Sequence, residues 1–161
     1  MVVLPLALTY MLGFKYTVPL IGSIVLFMII VVFSWIFSIG LWANRNLSQD
    51  QQKNLTPFAI GFATPLVYIV MLILIYFPTL NPESRPQPPS WMLPLHILSM
   101  MGIFYSIWFS ARQYIALQRD HKVDYIIFSN TFFLMWIFPL GIWLIQPSVN
   151  QLFDKLENTK I

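Results

Sequence analysis

Five polar side chains recur at helical spacing in one otherwise apolar stretch: His96, Ser99, Ser106, Ser110 and Gln113. At ~100° per residue they share one helix face about 100° wide, away from Phe104, Tyr105 and Trp108. A polar stripe on an apolar helix turns toward protein or water, not lipid. Two roles fit it. One is a polar cavity or path, with His96 as a group that changes charge near neutral pH. The other is a packing seam, where small and hydroxyl residues let helices approach and hydrogen-bond.

Two further groups accompany this stripe. Gly61, Thr64, Pro65 and Tyr68 fall on one face of an earlier apolar stretch, where Pro65 kinks the helix and frees a backbone carbonyl. Asn130, Pro139 and Gly141 lie in the last one. Asn130 reads as an interhelical hydrogen bond or a cap, and Pro139 and Gly141 interrupt the aromatic run FFLMWIFPLGIWLIQP at 132–147.

The inventory excludes several chemistries. No Asp, Glu, Lys or Arg sits mid-way along an apolar stretch, which argues against a buried-carboxylate transporter or an intramembrane carboxylate-pair hydrolase. The two histidines, His96 and His121, are too separated in type of surroundings for a bis-His haem or metal site, and there is no cysteine. P-loop, GxGxxG and HExxH patterns are missing. We therefore assign no catalytic residue, no metal ligand and no cofactor.

The elements that carry these residues follow from composition. Of 161 residues, 58% are hydrophobic and only 9% are charged, against roughly 25% charged in a soluble domain. The solvent is lipid, which a helix crosses with ~20 apolar residues. The charges divide the chain into spans at about 18–42, 57–77, 92–113 and 125–145, in a single transmembrane domain covering 1–161. Met1 to Leu12 is apolar but too short to span, and leads into the first helix. Thr56 followed by Pro57 reads as an N-cap with proline at the first helical position. Five prolines place 78–90 in an extended loop outside the hydrocarbon. Val149, Leu152, Phe153 and Leu156 recur at i, i+3, i+4, i+7, so 148–157 reads as an amphipathic helix lying on the membrane surface.

Short connections imply antiparallel neighbours, giving an all-α, up-down four-helix bundle. Four crossings put both termini on one side. That side then holds Lys15, Arg85, Lys155 and Lys160, against Arg45, Lys53, Arg112, Arg119 and Lys122 on the other. The cluster at Arg112, Arg119 and Lys122 tips the second side toward the cytoplasm.

The segment PLH at 94–96, the Phe104–Tyr105 pair, FFLMWIFPLGIWLIQP at 132–147 and Asn150 together resemble a family of small four-helix membrane proteins from Bacteroidetes, which close on FFLxWFFPIGIWxIQPxxN. The resemblance covers roughly 35–155 and is specific at its C-terminal segment. It implies the bacterial inner membrane and a multi-pass topology, but the family carries no assigned activity. This chain departs from it at Ser148, where a basic residue is usual, and at Thr131, where an acidic one is frequent.

Three functions follow in order. The first is a non-enzymatic accessory or scaffold subunit, whose partners are the bilayer and another membrane protein or a second copy, with no nucleic acid. The alternative is a small channel or transporter using the polar face of span three. The third is a lipid-active membrane enzyme, which needs His96 near the headgroups beside a Tyr or Ser.

Overall fold

The computed structural model describes residues 14–76, 87–121 and 128–158. Helix α1 covers Phe14–Asn46, and α2 covers Thr56–Met71 and runs on into a π-helical turn at Leu72–Tyr76. Helix α3 covers Met92–Asp120, α4 Phe128–Trp136 and α5 Phe138–Asn158. The apolar lead at 1–13 and most of the proline-rich loop lie outside the described residues.

Three helical stretches are long and apolar enough to cross a bilayer: Leu20–Asn46, Thr56–Tyr76 and Met92–Asp120. They correspond to the first three expected spans, and α3 continues beyond Gln113. Their outward faces are apolar, as at Phe27, Met28, Val67 and Met101, all exposed. This is the pattern of a multi-pass membrane protein.

Ring contacts fix the order of these helices. Phe37 stacks on Phe58 at 4.9 Å, and Phe58 stacks on Phe109 at 4.4 Å. Further along, Phe33 meets Phe62 and Tyr68 meets His96. Helix α2 therefore runs antiparallel to both α1 and α3. Phe58, fully buried, is where the three helices meet. The α1–α2 connection is held by the buried Asn44 side chain, which donates to the Lys53 carbonyl at 3.1 Å and accepts from the Lys53 amide at 2.8 Å. Thr56 is the first helical residue rather than the cap. Leu55 occupies the cap, and the Asn54 side chain accepts from the Thr56 amide.

The fourth expected span, 125–145, is not one helix. It breaks at Ile137, between α4 and α5. Pro139 has no N–H to offer the Met135 carbonyl, so the helix hydrogen-bond ladder lacks a rung at the break. Gly141 then lies directly against the Leu134 carbonyl, a contact a straight helix cannot make. The chain has turned back on itself. Downstream, Gln146 meets Trp35, Phe153 meets Trp42, and Lys155 donates to the His121 carbonyl at 2.7 Å. Helix α5 thus runs parallel to α1 and α3 and finishes at the end where they finish. Trp136 packs on Phe104, 4.3 Å between ring centroids, so the turn lies deep along α3. For α4 to enter from the opposite face, Phe128 would lie more than ~35 Å from His121. Seven peptide steps reach only ~25 Å. Helices α4 and α5 therefore form a hairpin that starts and finishes toward the same end of the long helices.

Two further expectations change with it. The four-helix up-down bundle becomes three crossing helices plus a hairpin. An odd number of crossings puts Phe14 and Asn158 at opposite ends of the long helices, whereas both termini were expected on one side. The segment 148–157 also does not lie flat as a separate surface helix. Pro147 sits inside α5 without ending it, and Leu152 is fully buried in the core formed with Ala43, Leu47, Tyr114 and Leu117. Its apolar face found α1 and α3 before it found lipid.

A hydrocarbon slab needs ~20 helical residues. Measured along α3 from Met92, it ends near Ala111, at the level where Ser110 meets Ile36 and Phe109 meets Phe58. The remaining turns of α1, α3 and α5 pack on one another as a small cap at this end.

Candidate functional site

The polar stripe of α3 divides by position. Ser99, Ser106, Ser110 and Gln113 are buried, while His96 is exposed near the start of the helix. The Ser110 hydroxyl donates to the Ile36 carbonyl of α1 at 3.0 Å. Ser99 turns back to the Leu95 carbonyl of its own helix. The Ser106 hydroxyl is buried without a partner, facing Gly61.

Gly102 is the centre of this face, and polarity alone did not single it out. A Cβ on Gly102 would sit 2.6 Å from the Gly61 carbonyl oxygen. That carbonyl lost its i+4 amide donor to Pro65 and now points at the Gly102 backbone. Gly40 is likewise in contact with Ser110. Gly102, Ser106 and Ser110 recur at four-residue steps, the small-xxx-small pattern that lets membrane helices approach. That spacing was the available signal.

These contacts separate two serines of the same stripe. Ser110→Ala removes a buried interhelical hydrogen bond and is expected to cost about 0.6 kcal/mol. Ser106→Ala removes an unpartnered buried hydroxyl and is expected to be neutral or mildly stabilising. Thermal unfolding of the two variants in detergent reads the difference, and equal destabilisation would contradict the packing described.

Of the other singled-out residues, Gly61, Pro65 and Tyr68 are buried on the side of α2 that meets α3. Thr64 donates to the Ile60 carbonyl of its own helix. Asn130 is exposed on α4, and Pro139 stands in the first turn of α5.

Two polar arrangements escaped the sequence. The buried Gln118 amide donates to Tyr114 at 3.0 Å and to Ser148 at 2.9 Å, tying α3 to α5 in the cap. The Trp35 indole donates to Gln146 at 2.8 Å and closes one side of a groove of about 240 Å³ that Trp42, Asn150 and Phe153 also line. Nothing in periodicity pairs residues 111 positions apart.

At the opposite end, α2 and the start of α3 enclose a cleft of about 550 Å³. Tyr68 and His96 line it, edge to face with ring centroids 5.6 Å apart, together with Ser90 and the Pro88–Pro89 pair. Among the described residues no group of three or more His, Cys, Asp or Glu could hold a metal ion. Protein families, curated proteins and solved structures contain no match to this chain.

Proposed function

We propose that the chain is a non-enzymatic accessory or scaffold subunit of a membrane assembly, acting through helix contacts with a partner membrane protein or a second copy. The observation that carries this reading is the surface of the hairpin. Phe133, Trp136, Ile137, Leu140 and Trp143 are all exposed around the break, Trp143 to 81%. The backbone there is interrupted, and hydrocarbon does not tolerate irregular backbone facing lipid. A protein surface covers such a break, and protruding tryptophans are frequent anchors of contact.

Charge supports an orientation. Among the described residues Arg45, Lys53, Arg112, Arg119 and Lys155 gather where α1, α3 and α5 end, against Lys15 at the other end. By the positive-inside tendency the cap faces the cytoplasm. Placement in a bacterial inner membrane, and kinship with the Bacteroidetes family that the closing segment resembles, belong to the same reading.

The test is purification of the full chain from its native membrane in mild detergent. A defined assembly is expected, lost in Leu140→Ala and Trp143→Ala while each variant keeps the wild-type unfolding temperature. A monomer alone, or an assembly indifferent to both substitutions, would overturn the proposal.

A further inference from the structure

The cleft at the far end of the bundle from the cap is a collection of donors. Tyr68 is only 8% exposed, and its hydroxyl has no hydrogen-bond partner among the described residues. Ser90 and His96 stand on the same wall. The Met92 amide is taken by the Pro89 carbonyl and the Leu95 amide by the Trp91 carbonyl, but the Leu93 amide has no backbone acceptor. It also points out of a helix N-terminus, where the helix dipole favours negative charge. Among the described residues no acidic side chain lines the cleft. Three side-chain donors and one amide, with no carboxylate among the described lining residues, favour an anion.

Position narrows the anion. His96 lies only ~6 Å along the axis from Met92, where the slab begins, so the cleft opens at the membrane edge, with Met92, Leu93 and the Pro88–Pro89 pair on its outer side. Deeper along α3, Ile97 and Met101 continue as exposed apolar surface, at 52% and 64% exposure. A volume near 550 Å³ is within the range of ligand pockets. We propose that this cleft is a phospholipid site, in which the lipid phosphodiester accepts hydrogen bonds from His96, Tyr68, Ser90 and the Leu93 amide while one acyl chain lies along Ile97 and Met101. The inference is independent of the accessory-subunit reading, because it uses the opposite end of the molecule.

The purified full chain in mild detergent tests it by native mass spectrometry with three probes. These are phosphatidylglycerol, diacylglycerol with the same tails, and glycerol phosphate. Retention of phosphatidylglycerol is expected to exceed that of both others at least about fivefold. His96→Ala and Tyr68→Phe are each expected to weaken it about threefold to tenfold. Arg112→Gln, at the other membrane boundary, leaves that site unchanged. Neither cleft substitution removes core volume, since His96 is exposed and Phe keeps the Tyr68 ring. Equal retention of diacylglycerol would overturn the proposal, as would glycerol phosphate binding as well as the lipid. So would phosphatidylglycerol retention unaffected by both cleft variants.

Discussion

Gly102→Leu is expected to abolish the folded three-helix unit, and Gly102→Ala to cost about 1–3 kcal/mol. The reason is what the new carbon would meet. A Cβ at Gly102 falls 2.6 Å from the Gly61 carbonyl oxygen and 3.4 Å from its carbon. Both are main-chain atoms, which no rotamer change can move aside. Helices α2 and α3 would have to separate, and the contacts on either side would go with them: Phe58 against Phe109 toward the cap, and Tyr68 against His96 toward the lipid cleft. The reciprocal change is milder. A Cβ at Gly61 meets the Tyr105 ring at 3.2 Å and the Ser106 hydroxyl at 3.3 Å, both side chains, besides the Gly102 carbonyl at 3.3 Å. The expected order of destabilisation is Gly102→Ala above Gly61→Ala, with Met101→Leu, on the lipid-facing side, close to neutral. Unfolding temperature by size exclusion in detergent measures it. A Gly102→Ala protein as stable as wild type would mean that α2 and α3 do not approach as described.

The sequence made the three long helices readable because lipid imposes a coarse rule. About twenty apolar residues suffice, and charges mark where they stop. The polar face of α3 was readable for a related reason, since Ser99, Ser106 and Ser110 are conspicuous against apolar neighbours. Its contacts were not. Gly102 carries no polarity, so a search for hydrophilic residues passed over the backbone-to-backbone approach of α2 and α3. The hairpin was hidden by hydropathy itself. Residues 132–145 are apolar throughout whether they cross or return, and only the contacts of Gly141, Trp136 and Lys155 distinguish the two. Pro139, legible as an interruption, lies at the break, whereas Pro147 lies within α5. Both prolines interrupt the run in sequence. In space the turn forms where Gly141 permits the chain to close on Leu134, and the helix carries Pro147 where α1 and α3 already hold its flanks. The amphipathic pattern of 148–157 was seen correctly, but an apolar face does not say whether it meets lipid or protein.

The returning hairpin makes an all-or-none prediction about sidedness. The chain contains no cysteine, so single cysteines placed at Ser48, Gln87 and Gln151 each report one position without background. Ser48 lies in the α1–α2 connection, Gln87 before α3, and Gln151 on the exposed side of α5. With a hairpin, Gln151→Cys shares its side with Ser48→Cys, because Lys155 reaches His121 at the end of α3. With a fourth crossing it would share the side of Gln87→Cys. A membrane-impermeant maleimide applied to intact cells and then to opened membranes separates the cases. The expected result is that Gln87→Cys labels in intact cells, while Ser48→Cys and Gln151→Cys label only after opening. That places the basic cap inside. Leu140→Cys, near the tip, is expected to resist the reagent in both preparations. A hairpin lying in water would label there as readily as Gln151→Cys, and a crossing helix would move Gln151→Cys to the side of Gln87→Cys. Either outcome would remove the interrupted, tryptophan-rich surface from within the bilayer, and with it the reason for expecting a protein partner to cover it.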